Sequence, residues 1–204
     1  MCGMFFTFND DYIPRLQQAN AKRGGVNESL TKVDLYETDG GWIGHFQAPT
    51  STVSRRHPNF CDHKEFGGKD TSNLWHNGIL KEYTIRDMQE KFNTKEEWDT
   101  ALLHEHIMQF GDLSDVDGSF AVIVEYNFSG KNYLYFARNA LVPLYMNADE
   151  LILSSTQVPE LGVTELIEAG KWYFYEDNEF HKVTSTAHKN ILNPFTTKNN
   201  PYEL

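Results

Sequence analysis

Apolar and polar positions alternate in short runs along most of this chain, with two stretches of helical period among them. Phe5 and Phe6 sit among small and β-favouring neighbours, which predicts a strand over 2–8. Ile13, Leu16 and Ala19 recur at spacings of three, and Gly24-Gly25 stops the run, which predicts a helix over 13–22. Val33 and Leu35 alternate with polar residues in a second strand. Asp39-Gly40-Gly41 then reads as a hairpin turn into a strand over 42–48. Residues 52–73 are polar, charged and glycine-rich with no period, and read as a surface loop. A short strand follows over 74–80. The clearest helix is 96–110, with Leu103, Ile107 and Phe110 at spacings of four and three. Strong strands over 119–127 and 131–138 flank Ser129-Gly130, and shorter ones are expected at 151–154, 172–175 and 179–183.

Strands and helices both occur, but without a regular βαβ alternation. That predicts mostly antiparallel sheets with helices packed on them, an α+β architecture. The 204 residues suffice for one substantial core, and the apolar share of 40% against 23% charged is that of a globular protein. One domain is expected over 1–185, with a polar, extended tail over 186–204 rich in Asn, Thr, Lys and Pro. The net charge of -11 repels phosphate backbones and argues against nucleic-acid binding. No apolar run approaches the roughly 20 residues needed to span a bilayer. The N-terminus has no basic region before its apolar stretch, so a cytoplasmic protein without membrane contact is expected. Two cysteines, Cys2 and Cys61, make no disulfide framework and are read as reduced thiols.

Three segments carry candidate chemistry. Cys2 follows Met1, and aminopeptidases remove an initiator methionine before a small residue. The product carries a thiol and a free α-amine on one residue. An α-amine has a pKa of about 8, so near neutrality it is able to take the thiol's proton. The ordinary alternative is a buried strand cysteine. His76-Asn77-Gly78-Ile79 offers an amide side chain and a glycine N–H, two donors of the kind an oxyanion needs, though Asn-Gly is also a common turn. Gly44-His45-Phe46-Gln47-Ala48-Pro49-Thr50-Ser51 is a polar cluster where a strand opens into a loop; a strand end capped by Pro and Ser is its plain reading.

In order and approximate spacing, Cys2-Gly3, Arg23-Gly24, Gly44-His45, Ala48-Pro49-Thr50 and Asn77-Gly78 resemble the class II glutamine amidotransferases. These are the N-terminal-nucleophile (Ntn) glutaminase domains of asparagine synthetase, glutamine phosphoribosylpyrophosphate amidotransferase and glucosamine-6-phosphate synthase. Asp117-Gly118-Ser119-Phe120-Ala121 resembles the family's G-x-F-A strand. Ala137-Arg138-Asn139 with Pro143-Leu144-Tyr145, and Ser154-Ser155, resemble its later segments. The resemblance runs from Cys2 to about Val183. It implies a four-layer αββα sandwich of the Ntn-hydrolase type and a cysteine amidohydrolase that needs no cofactor and no metal. The implied reaction frees ammonia from the glutamine side chain through a Cys2 thioester and passes it to a partner synthetase or transferase. By resemblance Cys2, Asn77 and Gly78 are catalytic. Gln47, Thr50, Asp99, His76 and Arg23 face the substrate, with Asp99 holding its α-ammonium. A first-turn helix aspartate favoured by the dipole is the other reading of Asp99.

Three positions depart from the family. Gln47 stands where an arginine usually binds the substrate α-carboxylate, and losing that charge-assisted contact costs on the order of 1.5–3 kcal/mol. Arg55 and Arg56 are the candidate replacements. The family's R-G-P/Y-D segment reads Arg23-Gly24-Gly25-Val26-Asn27 here, without the aspartate, and Asn139 stands where its A-R-D segment has aspartate. The Gln47 departure keeps open a stand-alone amidase acting on γ-glutamyl or other acyl amides. A catalytically silent binding module of the same fold is the third reading. His57, Cys61 and His63 have a spacing a metal can use, without an evident fourth ligand. His104 and His106 read as solvated or satisfied core residues, and Phe60 or Phe66 as side chains able to close over a substrate.

Overall fold

Phe5 and Phe6 are both fully buried, because the strand that carries them, β1 (Gly3–Thr7), lies inside a sheet covered on both faces. The computed structural model describes residues 2–23, 34–38, 41–48, 53, 55–62, 70–128 and 130–183. The first sheet also holds β2 (Asp34–Glu37), β3 (Trp42–Phe46), β8 (Tyr145–Asn147), β9 (Ile152–Ser154) and β10 (Glu165–Leu166), in the order β10-β8-β9-β1-β3-β2. The second holds β4 (Asn59–Asp62), β5 (Thr71–Leu80), β6 (Gly118–Phe128), β7 (Lys131–Arg138), β11 (Trp172–Glu176) and β12 (Glu179–Lys182), in the order β12-β11-β7-β6-β5-β4. Every strand pair is antiparallel.

Three helices cover the sheets: α1 (Ile13–Ala21), α2 (Glu82–Lys91) and α3 (Asp99–Phe110). The core divides accordingly. Phe5, Phe46 and Ile152 pack against Leu16 of α1 on the outer face of the first sheet. Met4, Phe6 and Ile43 meet Trp75, Ile123 and Phe136 between the sheets. Leu74, Val122 and Val124 meet Leu103 and Ile107 of α3 and Met88 of α2 on the outer face of the second. Each such fully buried side chain contributes about 1.5–3 kcal/mol. The four layers are helix, sheet, sheet, helices: the αββα sandwich expected of the chain.

The structure corrects the strand and helix plan in three places. The loop expected over 52–73 contains β4 and the start of β5, which pair from Asn59↔Leu74 to Asp62↔Thr71. β4 is a short edge strand whose apolar Phe60 is exposed, so it carries no run of buried apolar positions to find. Helix α2 was not anticipated, because only Thr84 and Met88 of its residues are fully buried. The two short strands β8 and β10 were likewise unmarked. Expectations for residues 24–33, for the Asp39-Gly40 turn and for the tail over 186–204 lie outside the described residues.

Candidate functional site

Antiparallel pairing places Cys2, immediately before β1, beside the end of β3. Gly3 pairs with Phe46, so Cys2 lies beside the residues that follow β3, and the Ala48 N–H donates to Cys2 Sγ at 3.3 Å. The backbone of Cys2 is braced by Arg23 at the end of α1. Arg23 Nε donates to the Cys2 carbonyl at 3.2 Å, and its Nη1 donates to the Ser155 carbonyl at 3.0 Å. Gly3 is needed for packing: a Cβ there would lie 2.8 Å from the Asn20 carbonyl oxygen of α1. Cys2 is 9% exposed. Burial, the largest influence, pushes its thiol above the usual range, and the Ala48 N–H opposes this.

Ser155 connects this strand to Asn77 on the other sheet. Its hydroxyl oxygen accepts from the Met4 N–H at 3.2 Å and from Asn77 Nδ2 at 3.1 Å, and its own N–H donates to the Met4 carbonyl at 2.9 Å. Asn77 is fully buried and keeps a second Nδ2 hydrogen beyond the one given to Ser155. The next residue, Gly78, pairs with Phe120, and a Cβ on it would come within 1.8 Å of the Ser119 carbonyl oxygen. The close approach of β5 and β6 therefore demands glycine beside Asn77.

His76 projects from the other face of β5, towards the helices, where its Nδ1 lies 3.1 Å from Thr100 Oγ1. Thr100 is a hub. Its hydroxyl lies 3.4 Å from Asp99 Oδ1 and 3.4 Å from His57 Nε2. His57 stacks on His45 with ring centroids 3.9 Å apart, and His45 Nε2 meets the His76 carbonyl at 3.2 Å. The three imidazoles are buried, and burial first of all holds each below the usual histidine pKa, His45 at about 4. They are neutral at neutral pH. Asp99 opens α3, and its carboxylate accepts the N–H groups of Leu80 at 3.3 Å and Thr100 at 2.8 Å. Its charge reaches both the Cys2 thiol, which it raises, and His76.

Gln47 turns away from an open donor role: its Nε2 donates to the Arg55 carbonyl at 2.5 Å. The two candidate replacement cations are engaged by acids. Arg55 pairs with Glu96 at 3.0 Å and lies over the Trp98 ring, and Arg56 pairs with Asp34 at 3.3 Å. Thr50, His63 and Phe66 lie outside the described residues, and Phe60 is 58% exposed. The spacing of His57 and Cys61 does not bring them to one centre, since Cys61 contacts His104 Nδ1 at 3.5 Å while His57 stacks on His45. Among the described residues no group of three or more His, Cys, Asp or Glu side chains is placed to hold a metal ion. No helix among them is long and apolar enough to cross a membrane. His104 and His106 are buried and partnered, by Ser72 and by the Asp112 carbonyl.

Sequence reasoning assigned no role to Ser155, Thr100 or His45 in this assembly, and took His57 only as a possible ligand. Their signal was weak because each contributes through contacts with elements distant along the chain. The small pair Ser154-Ser155 at a strand end was the visible trace.

No family model matches the sequence, and no curated protein matches it at a significant level. Solved structures do match by fold. The glutamine phosphoribosylpyrophosphate (PRPP) amidotransferase from B. subtilis, complexed with ADP and GMP, superposes with a TM-score of 0.65 at 16% identity, over 89% of this chain and 48% of that one. A structure described as the allosteric regulatory enzyme of purine biosynthesis superposes with a TM-score of 0.63, also at 16% identity and over the same shares. This chain thus spans about half the length of the solved chains it matches, and it shares with them the four-layer αββα fold.

Proposed function

We propose that this protein hydrolyses the side-chain amide of glutamine through a thioester on Cys2. The observation that carries the reading is the Ser155 bridge, which joins the strand of Cys2 to the buried amide of Asn77 through one hydroxyl. Removal of Met1 supplies the base. A thiol held protonated by burial needs a proton acceptor, and the α-amine of Cys2 is on the same residue. The thiolate attacks the amide carbonyl. The oxyanion takes the second hydrogen of Asn77 Nδ2 and the Gly78 N–H. The C–N bond breaks as the amine returns its proton to the leaving nitrogen, and ammonia departs. Water then cleaves the thioester to glutamate and restores the thiol. Asp99, whose charge is felt at Cys2, holds the substrate ammonium in this reading.

The reading includes an ammonia-accepting enzyme as partner, since a structure of the same fold is a glutamine PRPP amidotransferase. Pull-down from the native source is expected to recover that enzyme; recovery of the homo-oligomer alone counts against it. The central test is the mature mass and a single variant. Met1 is expected to be absent, a glutamine-like diazoketone is expected to add one equivalent at Cys2, and Cys2→Ala is expected to lower ammonia release by about a thousandfold or more. A retained Met1 with undiminished turnover rejects the mechanism.

A second reading is favoured by Gln47. With its amide tied to the Arg55 carbonyl, and Arg55 and Arg56 paired with acids, no described cation at this edge is left unpaired for a substrate α-carboxylate. An acyl amide without a free α-carboxylate, such as a γ-glutamyl amide whose α-carboxyl is itself blocked, fits such a site. Ammonia or amine release from L-glutamine against a panel of γ-glutamyl and other acyl amides decides between the two.

A further inference from the structure

Three polar side chains converge on one hydroxyl in the first turn of α3. Thr100, 1% exposed, places its Oγ1 3.1 Å from His76 Nδ1, 3.4 Å from His57 Nε2 and 3.4 Å from Asp99 Oδ1. A hydroxyl has one proton to give and two lone pairs to receive with. Three neighbours around it leave few proton arrangements. Burial separates these sharply, because a buried N–H without an acceptor is rare and costly.

The imidazoles decide among them. His45, His57 and His76 are buried and uncharged at neutral pH, so each carries one ring proton. His45 Nε2 meets the His76 carbonyl at 3.2 Å, and a carbonyl only accepts, so the His45 proton is on Nε2. In each ring the second nitrogen finds no hydrogen-bond partner among the described residues: Nδ1 of His45, Nδ1 of His57 and Nε2 of His76. A proton on one of those nitrogens would be a buried donor with nothing to receive it. The Ser119 carbonyl favours a proton on His76, but it does not stand in hydrogen-bonding position to Nε2. His57 therefore carries its proton on Nε2 and His76 on Nδ1, and both N–H groups donate to Thr100 Oγ1. That occupies both lone pairs of the hydroxyl. Its proton goes to the remaining neighbour, the Asp99 carboxylate, which only accepts.

We infer that Thr100 is a positioning residue: its hydroxyl, with both lone pairs taken by His57 and His76, is committed as a donor to Asp99 and fixes that carboxylate for the substrate ammonium. The inference rests on the role proposed for Asp99 in the hydrolytic reading. Asp99 Oδ1 receives the O–H and the N–H of Thr100, the latter at 2.8 Å, and Oδ2 receives the Leu80 N–H at 3.3 Å. Both oxygens are thus held from the protein side on a half-buried residue, and lone pairs remain for a ligand ammonium. A carboxylate already held by fixed donors loses little freedom when the ligand arrives, so the ligand binds more tightly.

Two measurements test this, and the first needs no turnover. The imidazole nitrogen chemical shifts of the isotope-labelled wild-type chain at neutral pH read the tautomers directly. His76 is expected in the Nδ1–H form, and His45 and His57 in the Nε2–H form. A proton on Nε2 of His76 or on Nδ1 of His57 overturns the inference. In the second, Thr100→Val keeps the shape without the hydroxyl. It is expected to raise KM for L-glutamine about tenfold with kcat within about threefold of the wild type, while Thr100→Ser stays within about twofold in both. A folded Thr100→Val with unchanged KM, or with a loss confined to kcat, overturns the inference and leaves the hydrolytic reading in place. Absence of ammonia release from L-glutamine in the wild type rejects the hydrolytic reading instead. In that case, or should Thr100→Val fail to fold, the tautomers decide whether Thr100 is committed to Asp99.

Discussion

One hydroxyl joins β1 to Asn77 across the two sheets, and its loss should be felt in stability as well as in rate. Ser155→Ala removes the acceptor of the Met4 N–H and of Asn77 Nδ2. Two buried donors then lack a partner, a cost of about 1–3 kcal/mol each, and Asn77 is free to rotate. The expected result is a lower kcat with KM nearly unchanged, measured as ammonia release under the glutaminase reading. Under the same reading Asn77→Ala removes one oxyanion donor and should lower kcat by about a hundredfold to a thousandfold. A KM effect without a kcat effect in both variants would place Asn77 outside the reacting centre. Cys2, Asn77 and Gly78 were all visible as short motifs. Ser155 was visible within the pair Ser154-Ser155 but without a role, because its importance lies in two hydrogen bonds to residues 151 and 78 positions away.

At the scale of elements, the pairing of β5 with β6 sets the geometry around Asn77. The ten-residue register from Thr71↔Asn127 to Leu80↔Gly118 brings the backbone of Ser119 against Gly78. Gly78→Ala puts a methyl 1.8 Å from a carbonyl oxygen, with backbone rather than a flexible side chain to displace. A loss of about 3 kcal/mol or more is expected, read as a lowered denaturant midpoint at unchanged slope. A midpoint within error of the wild type would mean that the strands separate readily there. The apolar runs of β1, β6 and β7 marked these strands in the sequence because both faces of each are packed. β4 and α2 escaped because an edge strand and a surface helix bury too few apolar side chains to impose a period.

Across the whole molecule, three neutral imidazoles lie stacked and hydrogen-bonded between β3, the 57–58 segment, β5 and α3. Their folded pKa values are depressed, so folding leaves them unprotonated while the unfolded chain takes up protons. Their contribution is present above the unfolded value and is lost as pH falls. For His45, from 6.5 towards about 4, the loss is about 3 kcal/mol across that window. Denaturant midpoints measured from pH 7 to pH 4 should fall steeply, and His45→Asn should flatten the fall; an unaltered slope would show that His45 titrates alike in both states. By itself the sequence determined the α+β fold class and the two motifs that carry the proposed chemistry, because strand period, helical period and a cysteine next to the initiator methionine are local properties. Only the tertiary structure decided that His76 turns from Asn77 towards Thr100, that Gln47 binds the Arg55 carbonyl, and that His57 reaches the same Thr100 hydroxyl. Each of those outcomes depends on which distant strand or helix lies opposite, and one chain position carries no record of its neighbour across a sheet.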